Sequence, residues 1–186
     1  VYRGADLEKI GMPIGGVCAG QLYLGGDGRL WHWDIFNARL RTGAEHYANP
    51  LSPAKVIEQG FALKVISGGE SRDRSFKTGD WKEISFTGEY PMGFVNYSDP
   101  ECPVQVSLEA YSPFCPLNLD DSSIPATIFD FTLKNTGAAT VEGALAGWLE
   151  NKVCLRSSAE RMGHRRNRVV RRDGLPPQAR TLGWLA

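Results

Sequence analysis

The 186-residue chain has no apolar run approaching the roughly 18 residues of a membrane-spanning helix, and no transmembrane segment is read from it. Nor does a basic stretch followed by an apolar one open it, as in a secretory signal. It starts at Val1 and not at methionine, so it is read as a processed or partial product and its compartment is left open. Cysteine is sparse and scattered. Cys18, Cys102, Cys115 and Cys154 form no CxxC pair and have no histidine pair beside them, which excludes a structural zinc site. Cys102 and Cys115 are close enough in sequence for a loop-closing disulfide, but a chain this long can build its core without one. Reduced, mostly buried thiols are expected. The three histidines, His32, His46 and His164, lack metal-ligand spacing, and no serine sits in a GxSxG elbow. No metal and no organic cofactor is expected.

Net charge is also missing, though unevenly so. Residues 155–186 hold eight arginines against Glu160 and Asp173, which makes that segment +6 and the remainder −6. The segment has no lysine, no RNA-stacking motif and no zinc-finger spacing. It is therefore read as facing a carboxylate-rich partner domain and not nucleic acid. There is no fixed-period repeat and no long amphipathic helix. The glycines of GGVCAG lack the GxGxxG order and a following lysine. Val17 and the alternation after Gly20 favour strand, which removes the helix terminus that a phosphate would need.

Glycine and tryptophan are abundant in one place. Gly11 to Asn37, GMPIGGVCAGQLYLGGDGRLWHWDIFN, holds seven of the 21 glycines and two of the five tryptophans. It reads as a glycine-loosened strand opened by Pro13, a tight turn over Gly25, Gly26, Asp27 and Gly28, and an aromatic strand. Repeated glycine implies that something approaches this backbone closely. Counting by two places Trp31, Trp33 and Ile35 on one face and Leu30, His32, Asp34 and Phe36 on the other. Such a strand is sandwiched between layers or covered by another domain.

A long excursion to about Lys55 follows. Strands are then predicted at Phe61, Leu63 and Val65, at Ile84 and Phe86 after a polar turn region from Ser67 to Asp80, and over Val104 to Ala110. Asp120 and Asp121 are read as a solvated turn, because their spacing lacks the ligand order of a calcium loop. A strand over Thr127 to Leu133 passes through Asn135, Thr136 and Gly137, a hairpin-like turn, into one over Val141 to Leu149. Val104, Val106, Phe129, Phe131 and Leu145 are expected inside. Many strands with turn signals predict an all-β fold, a two-layer antiparallel β-sandwich, with 1–154 as the sandwich and 155–186 as its basic continuation or a divergent end. A pair of carboxylates for glycoside hydrolysis is defined only in three dimensions, and sequence spacing selects none.

The segment GMPIGGVCAG followed by GDGRLWHWDIFN resembles the N-terminal signature of the non-lysosomal glucosylceramidase, or bile-acid β-glucosidase, family, and FTLKNTGAATVEGALAGWLEN is similar to a later segment of that domain. The similarity runs over most of Leu7 to Arg172. The resemblance implies an N-terminal β-sandwich packed on a C-terminal (α/α)6 barrel that carries both catalytic carboxylates and acts on a β-glucoside or glucosylceramide-like substrate. No catalytic residue is then expected in this chain, which is read as a fragment ending before that barrel and inactive alone. Trp31, His32, Trp33, Asp34 and Asn37 are the candidate substrate-binding or domain-interface residues. The alternatives are an independent carbohydrate-binding module, with exposed rings stacked on sugars, and a non-catalytic protein-interaction scaffold.

Overall fold

The computed structural model describes residues 1–17, 21–34, 58–151, 167–170 and 182–185. The chain divides into two units, Val1–Trp148 and Leu149–Ala186. The first opens with β1 (Tyr2–Arg3), a 3-10 helix (Gly4–Lys9) and the strands β2 (Gly11–Pro13), β3 (Gln21–Gly25) and β4 (Leu30–Asp34). Then come β5 (Gln59–Ser67), β6 (Glu70–Ser75), β7 (Glu83–Glu89), β8 (Met92–Ser98) and β9 (Val104–Tyr111). A one-turn helix, α1 (Leu119–Ser122), precedes β10 (Ile128–Asn135) and β11 (Glu142–Leu149). In the second unit β12 (Asn167–Val170) pairs antiparallel with β13 (Leu182–Leu185).

The fold is an all-β antiparallel sandwich. One layer is a five-stranded sheet in the order β1-β7-β8-β9-β10, and facing it are the three-stranded sheets β2-β3-β4 and β11-β5-β6. Alternation explains the layers. Val104, Val106, Leu108 and Ala110 of β9 are buried while Gln105, Ser107 and Glu109 are not, and Ile84, Phe86, Val95 and Tyr97 supply the same face from β7 and β8. From the opposing layer come Met12, Leu24, Leu63 and Val65. Each such side chain contributes about 1.5–3 kcal/mol on burial. An aromatic cluster ties the layers together: Phe61 lies 5.0 Å from Phe129 and 4.9 Å from Phe131, and Phe76 lies 4.8 Å from Tyr97 and 5.3 Å from Phe131.

Several expectations change. Leu145, expected inside, is 41% exposed, because every residue of β11 is exposed and neither of its faces is covered as β9 is. Phe129 and Phe131 are half-buried against the core. Asn135, Thr136 and Gly137 do form a turn, with the Gly137 amide donating to Asn135 Oδ1 at 2.9 Å, but it is no hairpin. β10 pairs with β9 and β11 with β5, so the chain crosses between layers, and the Thr136 amide fastens the crossing to the Pro103 carbonyl at 2.8 Å. The polar region Ser67 to Asp80 contains β6, an edge strand whose sequence ESRDRS has no apolar alternation to reveal it. Pro13 closes β2 instead of opening it, on a sheet edge where its missing N–H breaks no ladder. Cys102 and Cys115 are both free, and Cys115 is exposed because it lies on the irregular connection between β9 and β10. Asp120 and Asp121 belong to α1, whose first amides are met by Asn118 accepting from the Asp121 N–H at 3.1 Å.

Candidate functional site

The opening hairpin is where sequence and structure converge. β3 and β4 are joined by a turn in which the Gly25 amide donates to the Arg29 carbonyl at 2.8 Å and the Gly28 amide to the Gly25 carbonyl at 3.0 Å. Gly28 has φ +84°, which glycine adopts without penalty. The turn is buried, and the close approach expected from its glycines is present. A Cβ on Gly26 would meet the Leu7 carbonyl oxygen at 2.6 Å, and one on Gly28 would run into the Tyr97 hydroxyl.

Tyr97, fully buried in the centre of the five-stranded sheet, donates its hydroxyl proton to the Asp27 carbonyl at 2.8 Å. Burial raises its pKa well above the ordinary tyrosine value. The nearby Asp27 charge pushes the same way and Arg29 opposes, so the phenol stays protonated and keeps donating. Asp27 folds back on the turn. Its carboxylate accepts from the Arg29 amide at 3.2 Å and from Arg29 Nε at 2.7 Å. On the far arm, the Leu30 amide donates to Gln59 Oε1 of β5 at 3.0 Å. The hairpin is thus held by both layers of the sandwich.

This frame sets the start of β4, the strand carrying Trp31, His32, Trp33 and Asp34. Its register on β3 runs Gln21 to Asp34, Leu22 to Trp33, Tyr23 to Trp31 and Leu24 to Leu30, with an irregularity between Leu22 and Tyr23. Two consecutive residues of β3 therefore face residues two apart on β4, and His32 is the extra residue of a bulge. The face assignment made by counting along Trp31, Trp33 and Ile35 lies outside the described residues. The structure brings the backbone of Trp31 to Asp34 together on one short strand. Asn37, Ile35 and the long excursion to Lys55 lie outside the described residues, as do the side chains of residues 31–34.

Tyr97, Gln59, Asp27 and Arg29, which fix this strand, were not read as site residues. Asp27 and Gly28 announced a turn, but nothing near Tyr97 in sequence points to a partner 70 positions away. A second polar assembly lies below β6. Arg74 Nη1 bonds Asp99 Oδ2 at 2.6 Å and the Asp80 carbonyl at 2.8 Å, and its guanidinium lies 5.5 Å from the Trp81 ring centre. Trp81 also stacks on Phe76 at 5.7 Å, donates its Nε1 proton to the Ser75 carbonyl, and is buried, so it offers no exposed ring to a sugar. The Asp99 pKa is lowered, first by the Glu101 amide and then by Arg74. Among the described residues no three His, Cys, Asp or Glu side chains are grouped to hold a metal ion. Among the same residues, no helix is long and apolar enough to cross a membrane.

The layers define a class: an all-β antiparallel sandwich whose opening glycine turn is tied down by Tyr97 and Gln59. The particular family follows from comparison. The chain belongs to the family described as beta-glucosidase 2, glycosyl-hydrolase family 116 N-term, whose model matches residues 11–182. No curated protein matches it. Membership in an N-terminal-domain family of glycosyl hydrolases implies a catalytic partner domain.

Proposed function

We propose that this chain is the accessory sandwich of a retaining β-glucosidase of the glucosylceramidase type, bracing a C-terminal (α/α)6 catalytic barrel and forming one wall of its active-site entrance. In this reading 1–154 is the sandwich and 155–186 its basic continuation or a divergent end. The observation that carries this reading is the pinning of the opening hairpin from both layers, by Tyr97 to Asp27 and by Gln59 to Leu30. A strand fixed this firmly is suited to offering Trp31, His32, Trp33 and Asp34 to a second body, with Asn37 proposed to join them, since a preorganised surface loses less entropy on contact. Hydrolysis of a β-glucoside or glucosylceramide-like substrate would use two carboxylates of the barrel, one as nucleophile and one as acid and then base. No residue of this chain enters that chemistry.

The test is single alanine substitution of Trp31, Trp33 and Asp34 in the full-length enzyme. At least one variant is expected to lose about 2 kcal/mol or more of domain association, or an equivalent share of kcat/KM. Wild-type thermal stability, association and kcat/KM in all three would end the reading.

A further inference from the structure

The described residues contain one non-glycine residue with positive φ, Leu117, at φ +64°. A leucine there is strained, and strain persists only where the surroundings enforce it. The surroundings do enforce it. Ser122 Oγ donates to the Asn118 carbonyl at 2.7 Å and accepts from the Cys115 amide at 2.9 Å, and the Asn118 amide donates to the Cys115 carbonyl at 3.0 Å. Yet Leu117 buries nothing, for its side chain is fully exposed. Beside it Phe114, Leu119 and Ile124 are exposed as well. From the β7–β8 turn, the exposed ring of Tyr90 meets Phe114 edge-on at 5.8 Å. A firmly tied loop that holds an apolar cluster out in water is a surface awaiting a cover.

We propose that the loop from Phe114 to Ile124, with Tyr90 beside it, is a docking knob that inserts into an apolar socket rimmed by lysine or arginine on the catalytic domain of the same enzyme. This rests on the accessory role proposed above. Charge selects the occupant. Residues 111–127 contain Asp120 and Asp121 and no lysine or arginine, and Glu89 flanks Tyr90, so the apolar tip carries an acidic border that complements a basic rim. The same border is repelled by the anionic surface of a cytoplasmic leaflet, which disfavours a membrane as the cover. Position agrees with charge. The Val17 amide donates to the Ser122 carbonyl at 3.0 Å and Thr127 Oγ1 to the Ile14 carbonyl at 2.7 Å, which fastens the C-terminal side of the loop to the opening stretch that leads into the hairpin carrying the proposed contact residues.

The experiment uses the full-length enzyme with a photo-crosslinking amino acid at position 117, together with Leu117→Asp and Leu117→Gly, read by cross-link mapping and by amide exchange over residues 112–124. Cross-links into the catalytic domain near lysine or arginine are expected, with the wild-type loop protected. Leu117→Asp should speed its exchange by about tenfold or more, as for loss of an interface anchor. Leu117→Gly relieves the positive φ, so it should expose the loop without lowering the melting temperature of the sandwich. A wild-type loop exchanging at unprotected rates overturns the inference, as does cross-linking only to added phosphatidylserine vesicles or to another protein. If the β4 variants weaken association while the loop variants are silent, this inference alone falls. Silence in both sets removes the accessory role itself.

Discussion

Tyr97 shows how one side chain can govern a hairpin far away in sequence. Its hydroxyl is the partner of a buried backbone carbonyl, so Tyr97→Phe leaves the Asp27 oxygen without a donor and should cost about 1–3 kcal/mol in denaturant unfolding. The pH response follows from the raised pKa. Below the unfolded tyrosine value of about 10 the contribution is complete. As pH climbs above that, the unfolded chain ionises first, and stability falls until the raised folded pKa is reached. Wild type should therefore lose stability in alkali more steeply than Tyr97→Phe. Gly26→Ala is the matching steric test. Its new methyl meets Leu7 backbone and not a flexible side-chain end, so a loss of about 1–3 kcal/mol is expected by thermal melting.

Strands with one clean face were legible. β9 ends within a residue of its expected span because valine, leucine and alanine alternate with polar residues. β8 was not foreseen, since Met92 and Phe94 sit on one phase and Val95 and Tyr97 on the other, which hides its period although it is the central strand. β6 was hidden for the opposite reason, as its residues are polar throughout and it is held from outside. Its holding point is the Arg74–Asp99 pair, with side chains 15% and 13% exposed. Arg74→Ala should cost about 1–3 kcal/mol, the loss of a charge-assisted hydrogen bond, since Asp99 keeps the Glu101 amide at 2.9 Å. The Asp99 pKa is lowered, so its contribution is present above the ordinary carboxylate range of about 3.9 and lost as pH falls through the depressed folded value. Acid titration of Asp99→Asn against wild type measures it.

At the scale of the whole molecule, composition and turn spacing sufficed for the class, and the opening motif for the family, because both are properties of local sequence. The candidate site was legible only as a stretch. Its bulge at His32 and its anchors at Gln59 and Tyr97 arise from pairings between distant segments, which no local pattern encodes. The purified chain is expected to show no hydrolysis of an aryl β-glucoside above a buffer control, with far-ultraviolet circular dichroism dominated by strand. Turnover lost on changing one of its own carboxylates would contradict the first expectation.

The crossing between layers after β10 has a consequence for how the chain is made. β5 gains its neighbour on one side only when β11 arrives, after β6 to β10 have all been made. A nascent chain halted before Glu142 presents Gln59–Ser67 with one bare edge, carrying Phe61, Leu63 and Val65 beside open backbone amides. Synthesis pauses in that interval are the moment of greatest aggregation risk, and a premature stop there should yield inclusion bodies where a stop beyond Leu149 does not.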